Sequence, residues 1–199
     1  MGLIVEILGL VVFLGAHVFV SMRDERAALI SKVGQGPYRG LFSLVSIVGI
    51  VLICYGFATY RAAGLIPVWY PPPWTRHIVE VLMWPASVMV AAAYIPGDIK
   101  RVLKHPLLAG VKTWAFAHLC ANGDLGGIIL FGSVLAWAVY DRITLKRRSD
   151  PGAPSIPVGG TKNDIIALVV GTIIYLALGL VFHPAVIGVP AFAVPGLGQ

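Results

Sequence analysis

Long blocks of apolar residues, separated by short polar stretches, run through the whole chain. Within a block the apolar residues are continuous and follow neither the 3.6-residue period of an amphipathic helix nor the alternation of a half-buried strand. Such blocks indicate helices that are surrounded by lipid. We predict six membrane helices, at Leu3–Val20, Leu41–Tyr60, Ile78–Ile95, Leu107–Ala121, Leu125–Tyr140 and Ile165–Phe182. The expected fold is an all-α, polytopic transmembrane helix bundle that forms one integral membrane domain over residues 1–199.

The fourth and fifth predicted helices are the shortest, and the strong turn signal Asn122-Gly123-Asp124 joins them. Two crossings of about 15 residues are short for a hydrocarbon core of about 30 Å. Either the two helices extend into their flanks and cross as a pair, or they form a re-entrant hairpin. We expect Asn122 and Asp124 to cap the fifth helix, because short polar side chains accept the free amides of a first turn.

Composition and charge agree with a membrane protein. The chain is 58% hydrophobic and only 12% charged, whereas a soluble domain is about one quarter charged. Most of the 15 Lys and Arg residues lie in three alternate loops, at 21–40, 96–112 and 141–162. The positive-inside rule therefore predicts a multi-pass membrane protein with both termini outside and the three basic loops in the cytoplasm. No basic patch of the kind that binds nucleic acid is present.

The remaining segments complete this topology. The first apolar block lacks a basic leader region, and we expect a retained helix and not a signal peptide. The Pro-rich connection at 61–77, which contains Trp69 and Trp74, is expected to lie at the outer headgroups. Residues 149–161 are rich in Pro, Gly and Ser, which predicts a flexible linker. Cys54 and Cys120 both lie in apolar sequence, so no disulfide framework is expected.

Polar side chains inside membrane helices are costly, so each is a candidate for function. The candidates are Glu6, His17, Glu80, His118, Asn122 and Asp124. His17 lies near the inner end of the first helix, beside the small residues Gly15 and Ala16, which allow a flat group or another helix to approach closely.

His118 belongs to a second polar group, because Trp114 and Asn122 lie four residues to either side of it, on one helix face. This face suits a flat cofactor with an axial ligand and a hydrogen-bond partner. A haem iron held by two imidazoles from two helices is a common use of such residues, which makes His17 and His118 the candidate metal ligands. The alternative is that each histidine only bonds a neighbouring helix. The two histidines also differ in depth by several Å, at about 1.5 Å per residue.

Two carboxylates have a simpler expected role. Glu6 and Glu80 are expected to reach the interface or to pair with Arg76 or His77, with a proton relay as the alternative.

The helix start at Lys104-His105-Pro106 is a further candidate for binding a cofactor, since a helix N-terminus with a nearby Lys attracts anions such as a phosphate or a haem propionate. The pattern His-Pro-x-x-x-Gly-Val occurs at residues 105–111 and again at 183–189. The chain has no phosphate-binding Gly-rich loop, nucleophile elbow or HExxH pattern. These absences leave soluble hydrolase and nucleotide-binding functions unsupported, and no catalytic residue is predicted.

The run HPLLAGVKTWAFAHLCANGDLGGIILFGSVLAWAVYDR, residues 105–142, resembles the signature stretch of the NnrU family. The first-helix histidine, the Gly-Pro-Tyr-Arg-Gly end of the 21–40 loop and the six-segment layout also fit this family. NnrU proteins are associated with bacterial nitrite and nitric oxide reduction, and the plant 15-cis-ζ-carotene isomerases are similar to them.

The resemblance implies a haem b cofactor, with His17 and His118 as the iron ligands and His105 in a second, less defined role. It implies a function in nitrite or nitric oxide reduction, or haem-dependent isomerisation of a lipophilic polyene. The short element at 104–110 is also similar to the (R/K)HPxxxG element of membrane methyltransferases, where it helps bind S-adenosylmethionine. A methyltransferase and a non-catalytic assembly subunit are therefore the alternatives. The expected partners are the lipid bilayer and a lipophilic substrate, with homo-oligomerisation open.

Overall fold

A computed structural model describes residues 1–147 and 159–192. Within these ranges the chain forms eight α-helices and no strand, which confirms the all-α prediction. The helices are α1 (Gly2–Ser21), α2 (Arg23–Val33), α3 (Gln35–Ala62), α4 (Thr75–Tyr94), α5 (Asp98–Leu103), α6 (Pro106–Ala121), α7 (Leu125–Lys146) and α8 (Gly160–Ala177). A π-helical segment, Leu178–Ile187, continues α8. Most of the linker predicted at 149–161 lies outside the described residues.

Five of the helices are long and apolar enough to cross a membrane: α1, α3, α4, α7 and α8 together with its π-helical continuation. Their outer surfaces are apolar; Val51 on α3, for example, is 58% exposed. The protein is therefore a multi-pass membrane protein. The fifth predicted helix is longer than expected, because α7 has 22 residues and ends at Lys146. The fourth remains short, since α6 has only 16 residues.

The helices group into two compact units. Unit 1 contains α1, α2, α3 and α7, from residues 1–71 and 122–147 of the described chain. Unit 2 contains α4, α5, α6 and α8 with the π-helical segment, from residues 72–121 and 159–192. The predicted helical pair at 107–140 is thus divided, with α6 in unit 2 and α7 in unit 1.

Glycines let the helices α1 and α3 of unit 1 pack backbone against backbone. A Cβ built on Gly49 of α3 would lie 2.8 Å from the Cβ of Phe13 on α1, and one on Gly9 would lie 2.9 Å from the Gly49 carbonyl oxygen. Such close approach raises van der Waals contact, which drives helix association where lipid removes the hydrophobic effect.

The turn before α7 is held by the loop that follows α3. The amides of Val68 and Trp69 donate to the Gly123 carbonyl at 2.8 and 3.0 Å, and the Leu125 amide donates to Ile66. Asp124 is the N-cap of α7, since its Oδ1 accepts the Gly127 amide at 2.9 Å. This confirms the capping role predicted for Asp124 and fixes the start of α7.

In unit 2, α4 packs against α6 and α8 through small residues. Gly110 of α6 lies against the Ala86 carbonyl, and Gly171 of α8 lies against the Val88 backbone. Pro85 lies inside α4, where it removes one amide from the helical ladder. Trp84 donates its indole N–H to the Thr172 hydroxyl at 3.0 Å and so ties α4 to α8.

Candidate functional site

His17 lies in unit 1 with its imidazole among aromatic rings. Its ring centroid is 4.2 Å from that of Phe13, 5.2 Å from that of Phe42 and 5.3 Å from that of Trp137. Its Nδ1 lies 2.7 Å from the Phe13 carbonyl oxygen. Because a carbonyl oxygen can only accept, Nδ1 carries the proton, and the second ring nitrogen, Nε2, carries a lone pair.

His118 of unit 2 has the same local geometry. Its Nδ1 lies 2.9 Å from the carbonyl oxygen of Trp114, again four residues earlier on the same helix. The ring centroids of Trp114 and His118 are 5.0 Å apart, as expected from their shared face of α6. A ligating histidine usually donates its second N–H to a carbonyl or carboxylate, which fixes the tautomer and raises the basicity of the ligating nitrogen. Both predicted ligands already have this arrangement.

A third histidine lies beside His118. The ring of His183 is 6.2 Å from the ring of His118, centroid to centroid. The sequence predicted a last helix that ends before His183, but His183 lies within the π-helical segment. π-Helices are rare in proteins, and those that occur are often found at functional sites. The signal that pointed to it was the second His-Pro-x-x-x-Gly-Val pattern. The structure therefore places a second imidazole next to His118 within unit 2.

Unit 2 also contains an apolar cleft of about 230 Å³, which Trp114, the ring neighbour of His118, helps to line. α4, α6, α8 and the π-helical segment line it with Met83, Ala86, Ser87, Val90, Gly110, Val111, Trp114, Ile174 and Leu178. The Ser87 hydroxyl donates to the Met83 carbonyl at 2.9 Å, so it is already bonded within its own helix. Trp114 belongs both to the cleft wall and to the ring pair with His118. The cleft therefore suits an apolar group next to Trp114.

The other predicted binding residues lie around α6. Helix α6 ends at Ala121, so Asn122 is in the turn of unit 1 and does not extend the helical face of Trp114 and His118. Lys104 is exposed and has a left-handed backbone with φ of 61°. α6 begins at Pro106, and the carbonyl of His105 accepts the Ala109 amide, so the predicted helix start is confirmed. On α6 the cleft is lined by Gly110, Val111 and Trp114, whereas Lys104 and His105 do not line it.

The imidazoles of His17, His118 and His183 are of the kind that haem iron takes as ligands. Across residues 1–147 and 159–192, no group of three or more His, Cys, Asp or Glu side chains could hold a metal ion. A zinc-type site needs three or four protein ligands. Haem brings four nitrogens of its own and needs only one or two protein ligands, and imidazole is a common one.

The two carboxylates have different surroundings. The Glu80 carboxylate lies 4.0 Å from Arg76 and 3.7 Å from His77, which confirms the expected pairing. The expectation for Glu6 was wrong, because Glu6 is fully buried in unit 1 and does not reach an interface. The burial of Glu6 could not be predicted from the sequence, because an evenly apolar helix has no periodic pattern that marks its buried face.

The fold and this site define a polytopic α-helical membrane protein with histidines on its helices. The family model described as NnrU protein matches residues 5–191, nearly the whole chain. The chain therefore belongs to the NnrU family. No match was found among curated proteins or among solved structures.

Proposed function

We propose that this protein binds haem b in the bacterial inner membrane, with His118 as an iron ligand. The observation that supports this is the geometry of His118. Its Nδ1 is hydrogen-bonded to the Trp114 carbonyl, and its ring lies beside a second imidazole and beside Trp114, which lines an apolar cleft. Family membership agrees with the proposal, because the resemblance of residues 105–142 to the NnrU signature implies a haem ligand at His118.

Two histidines qualify as the second ligand. The family resemblance implies His17, whose Nδ1 is bonded to a carbonyl in the same way as that of His118. The geometry of unit 2 favours His183, because its ring lies 6.2 Å from the ring of His118. The experiment below distinguishes them.

Bound haem would supply an iron centre for electron transfer or for contact with nitric oxide or a double bond. The chain's own residues orient the imidazoles. The Phe13 and Trp114 carbonyls hold the two Nδ1 protons, and aromatic rings pack around His17 and beside His118. We propose a role either in nitrite or nitric oxide reduction or in isomerisation of a lipophilic polyene. The apolar cleft favours the polyene, because such a molecule can enter from the bilayer.

The alternatives have less support. A methyltransferase needs a site for the charged groups of S-adenosylmethionine, and the cleft beyond the Lys104–Gly110 element is lined almost entirely by apolar residues. An assembly subunit would use small-residue faces such as Gly126, Gly127, Gly132 and Ser133; Gly126 already packs against Tyr60 of the same unit, and Gly132 is the open position.

The test is the absorption spectrum of the purified protein in mild detergent, oxidised and then reduced with dithionite. We expect the sharp bands of a six-coordinate b-type haem in the wild type. His118→Ala should remove them. The matched control is His77→Ala, which removes an exposed histidine that pairs with Glu80 outside this ligand set.

The second ligand follows from two further variants. Loss of the six-coordinate spectrum in His183→Ala, but not in His17→Ala, would assign the second position to His183, and the reverse result would assign it to His17. A colourless wild type, even after haem is added, would overturn the haem proposal and bring the methyltransferase and assembly alternatives forward.

A further inference from the structure

Glu6 is a buried carboxyl that the haem proposal does not use. It lies in the first half of α1, and its side chain has no exposed surface. Among the described residues, neither of its carboxylate oxygens has a hydrogen-bond partner. A buried polar group without a partner is rare in proteins and calls for a physical explanation.

Glycines on two other helices make the space that Glu6 fills. A Cβ on Gly56 of α3 would overlap the backbone of Glu6, so α1 and α3 touch at this level. A Cβ built on Gly126 of α7 would lie 3.1 Å from Oε2 of Glu6. The carboxyl therefore lies over the first turn of α7, where glycine leaves room for it.

Among the described residues, the charge that acts on Glu6 is that of the Asp124 carboxylate and not that of a cation. On α3, the Tyr60 hydroxyl accepts the Ile66 amide, and the Arg61 guanidinium lies 5.9 Å from the centroid of the Phe57 ring. On α7 the nearby charge is the Asp124 carboxylate, which acts on Glu6 electrostatically and has the same sign as an ionised Glu6. Asp124 is only half-buried, so it faces both the protein and the solvent.

These surroundings determine the charge state of Glu6. An ionised carboxylate in an apolar interior costs far more free energy than a neutral acid unless a cation or several hydrogen bonds stabilise it. Next to a second carboxylate the cost rises further. The neutral acid keeps a proton that it can donate to an acceptor, and intramembrane carboxyls of this kind mark proton pathways.

We propose that Glu6 is a proton-binding site, held as a neutral acid in unit 1, that exchanges its proton with solvent through Asp124 at the start of α7. The ligand is a proton, and the two carboxyls have separate roles. Glu6 stores the proton in the apolar interior, and half-buried Asp124 accepts it from Glu6 and passes it to water. This site is independent of haem, since all its groups belong to unit 1 and none is a proposed iron ligand.

The test uses dicyclohexylcarbodiimide, an apolar reagent that adds to protonated carboxyls. The acid O–H adds across one C=N bond of the reagent, and the adduct rearranges to a stable N-acylurea with no atom lost. We expect peptide mass spectrometry to find the adduct on Glu6 of the full-length protein, with a yield that falls as the pH rises. Glu80 is the internal control, because its carboxylate is only partly buried and lies 4.0 Å from Arg76 and 3.7 Å from His77, so we expect little adduct there. Glu6→Gln should remove the adduct at residue 6.

Infrared spectroscopy provides a second measurement that does not depend on access of the reagent. A carbonyl band of a protonated carboxyl should be present in the wild type and absent from Glu6→Gln. Asp124→Asn, which retains a capping side chain, should slow the deuterium exchange of that band severalfold. Protection of Glu6 from labelling by sodium ions would instead indicate a cation site and overturn the proposal. An infrared spectrum that is unchanged in Glu6→Gln would overturn it as well, and unchanged exchange in Asp124→Asn would remove Asp124 from the route.

Discussion

At the scale of single residues, the imidazoles of His17 and His118 repeat one arrangement. In each case Nδ1 donates a hydrogen bond to the carbonyl oxygen of the residue four positions earlier, at 2.7 Å for His17 and 2.9 Å for His118. This bond is local to one helix, so any histidine with a suitable rotamer can make it. The two histidines differ in their tertiary contacts, since aromatic rings surround His17 whereas a second histidine lies beside His118.

Asp164 of α8 holds the start of α5 and allows a test at this scale. Its carboxylate accepts the amides of Asp98 at 3.1 Å and Ile99 at 3.0 Å. Because hydrogen bonds to a charged group contribute about 1.5–3 kcal/mol each, Asp164→Ala should lower stability by about 2 kcal/mol or more. Hydrogen exchange should show loss of protection at the α5 amides.

Asp164→Asn is the matched control for this prediction. It keeps the shape and one acceptor oxygen but loses the charge, so we expect an intermediate loss of protection. Equal protection in Asp164→Ala and the wild type would mean that α5 is held by other contacts.

At the scale of elements, glycine faces determine which helices pack. Gly49 of α3 lies directly on Phe13 of α1, whereas a Cβ on Gly132 of α7 would meet no described atom within 4 Å. The same Gly→Ala substitution is therefore expected to change stability in opposite directions at these two positions.

We expect Gly49→Ala to lower stability by about 1–3 kcal/mol, because the new methyl group forces α1 and α3 apart. Gly132→Ala should be neutral or stabilising by up to about 1 kcal/mol, because alanine has the higher helix propensity and meets no neighbour. Unfolding of the detergent-solubilised variants measures both. A Gly49→Ala variant as stable as Gly132→Ala would contradict the close α1–α3 contact.

The π-helical segment is an element that the sequence pattern did not predict. The apolar block was expected to end at Phe182, yet helical structure continues to Ile187 and includes His183 and Pro184. Proline lacks an amide proton and so removes one hydrogen bond from a helical ladder, and the segment that contains Pro184 is π-helical. His183 thereby lies on a helix and not in a tail.

At the scale of the whole molecule, the chain forms two units that each combine helices from distant parts of the sequence. The turn at Asn122 and Asp124 is where the chain passes from unit 2 back to unit 1. Prediction of the helices from the sequence did not reveal this division, since apolar blocks alone carry no information about their neighbours.

The orientation in the membrane is a prediction at this scale. In a background with Cys54 and Cys120 replaced by Ser, Ser31→Cys in α2 and Ala63→Cys after α3 place exposed thiols at the two ends of α3. The positive-inside rule predicts that an impermeant maleimide reaches Ser31→Cys only from the cytoplasmic side and Ala63→Cys only from the outer side.

Labelling of sealed vesicles of either orientation provides the measurement. A reversed pattern would contradict the predicted orientation while leaving α3 as a span. Labelling of both positions from the same side would show that α3 does not cross the bilayer.

The sequence by itself determined the all-α membrane class, most helix positions, the cap at Asp124, the helix start at Pro106 and the family. These features follow from local rules, because apolar length, turn residues and capping side chains act within a few residues of the chain. The candidate ligands His17 and His118 were also visible, because a polar side chain stands out on an apolar helix.

Only the tertiary structure decided which residues lie together. It placed His183 beside His118, moved Asn122 off the face of α6 and buried Glu6 over Gly126. The physical reason is that the rotation and the partners of an evenly apolar helix depend on close packing between glycine faces. Such packing joins residues far apart in sequence, so no local pattern reveals it.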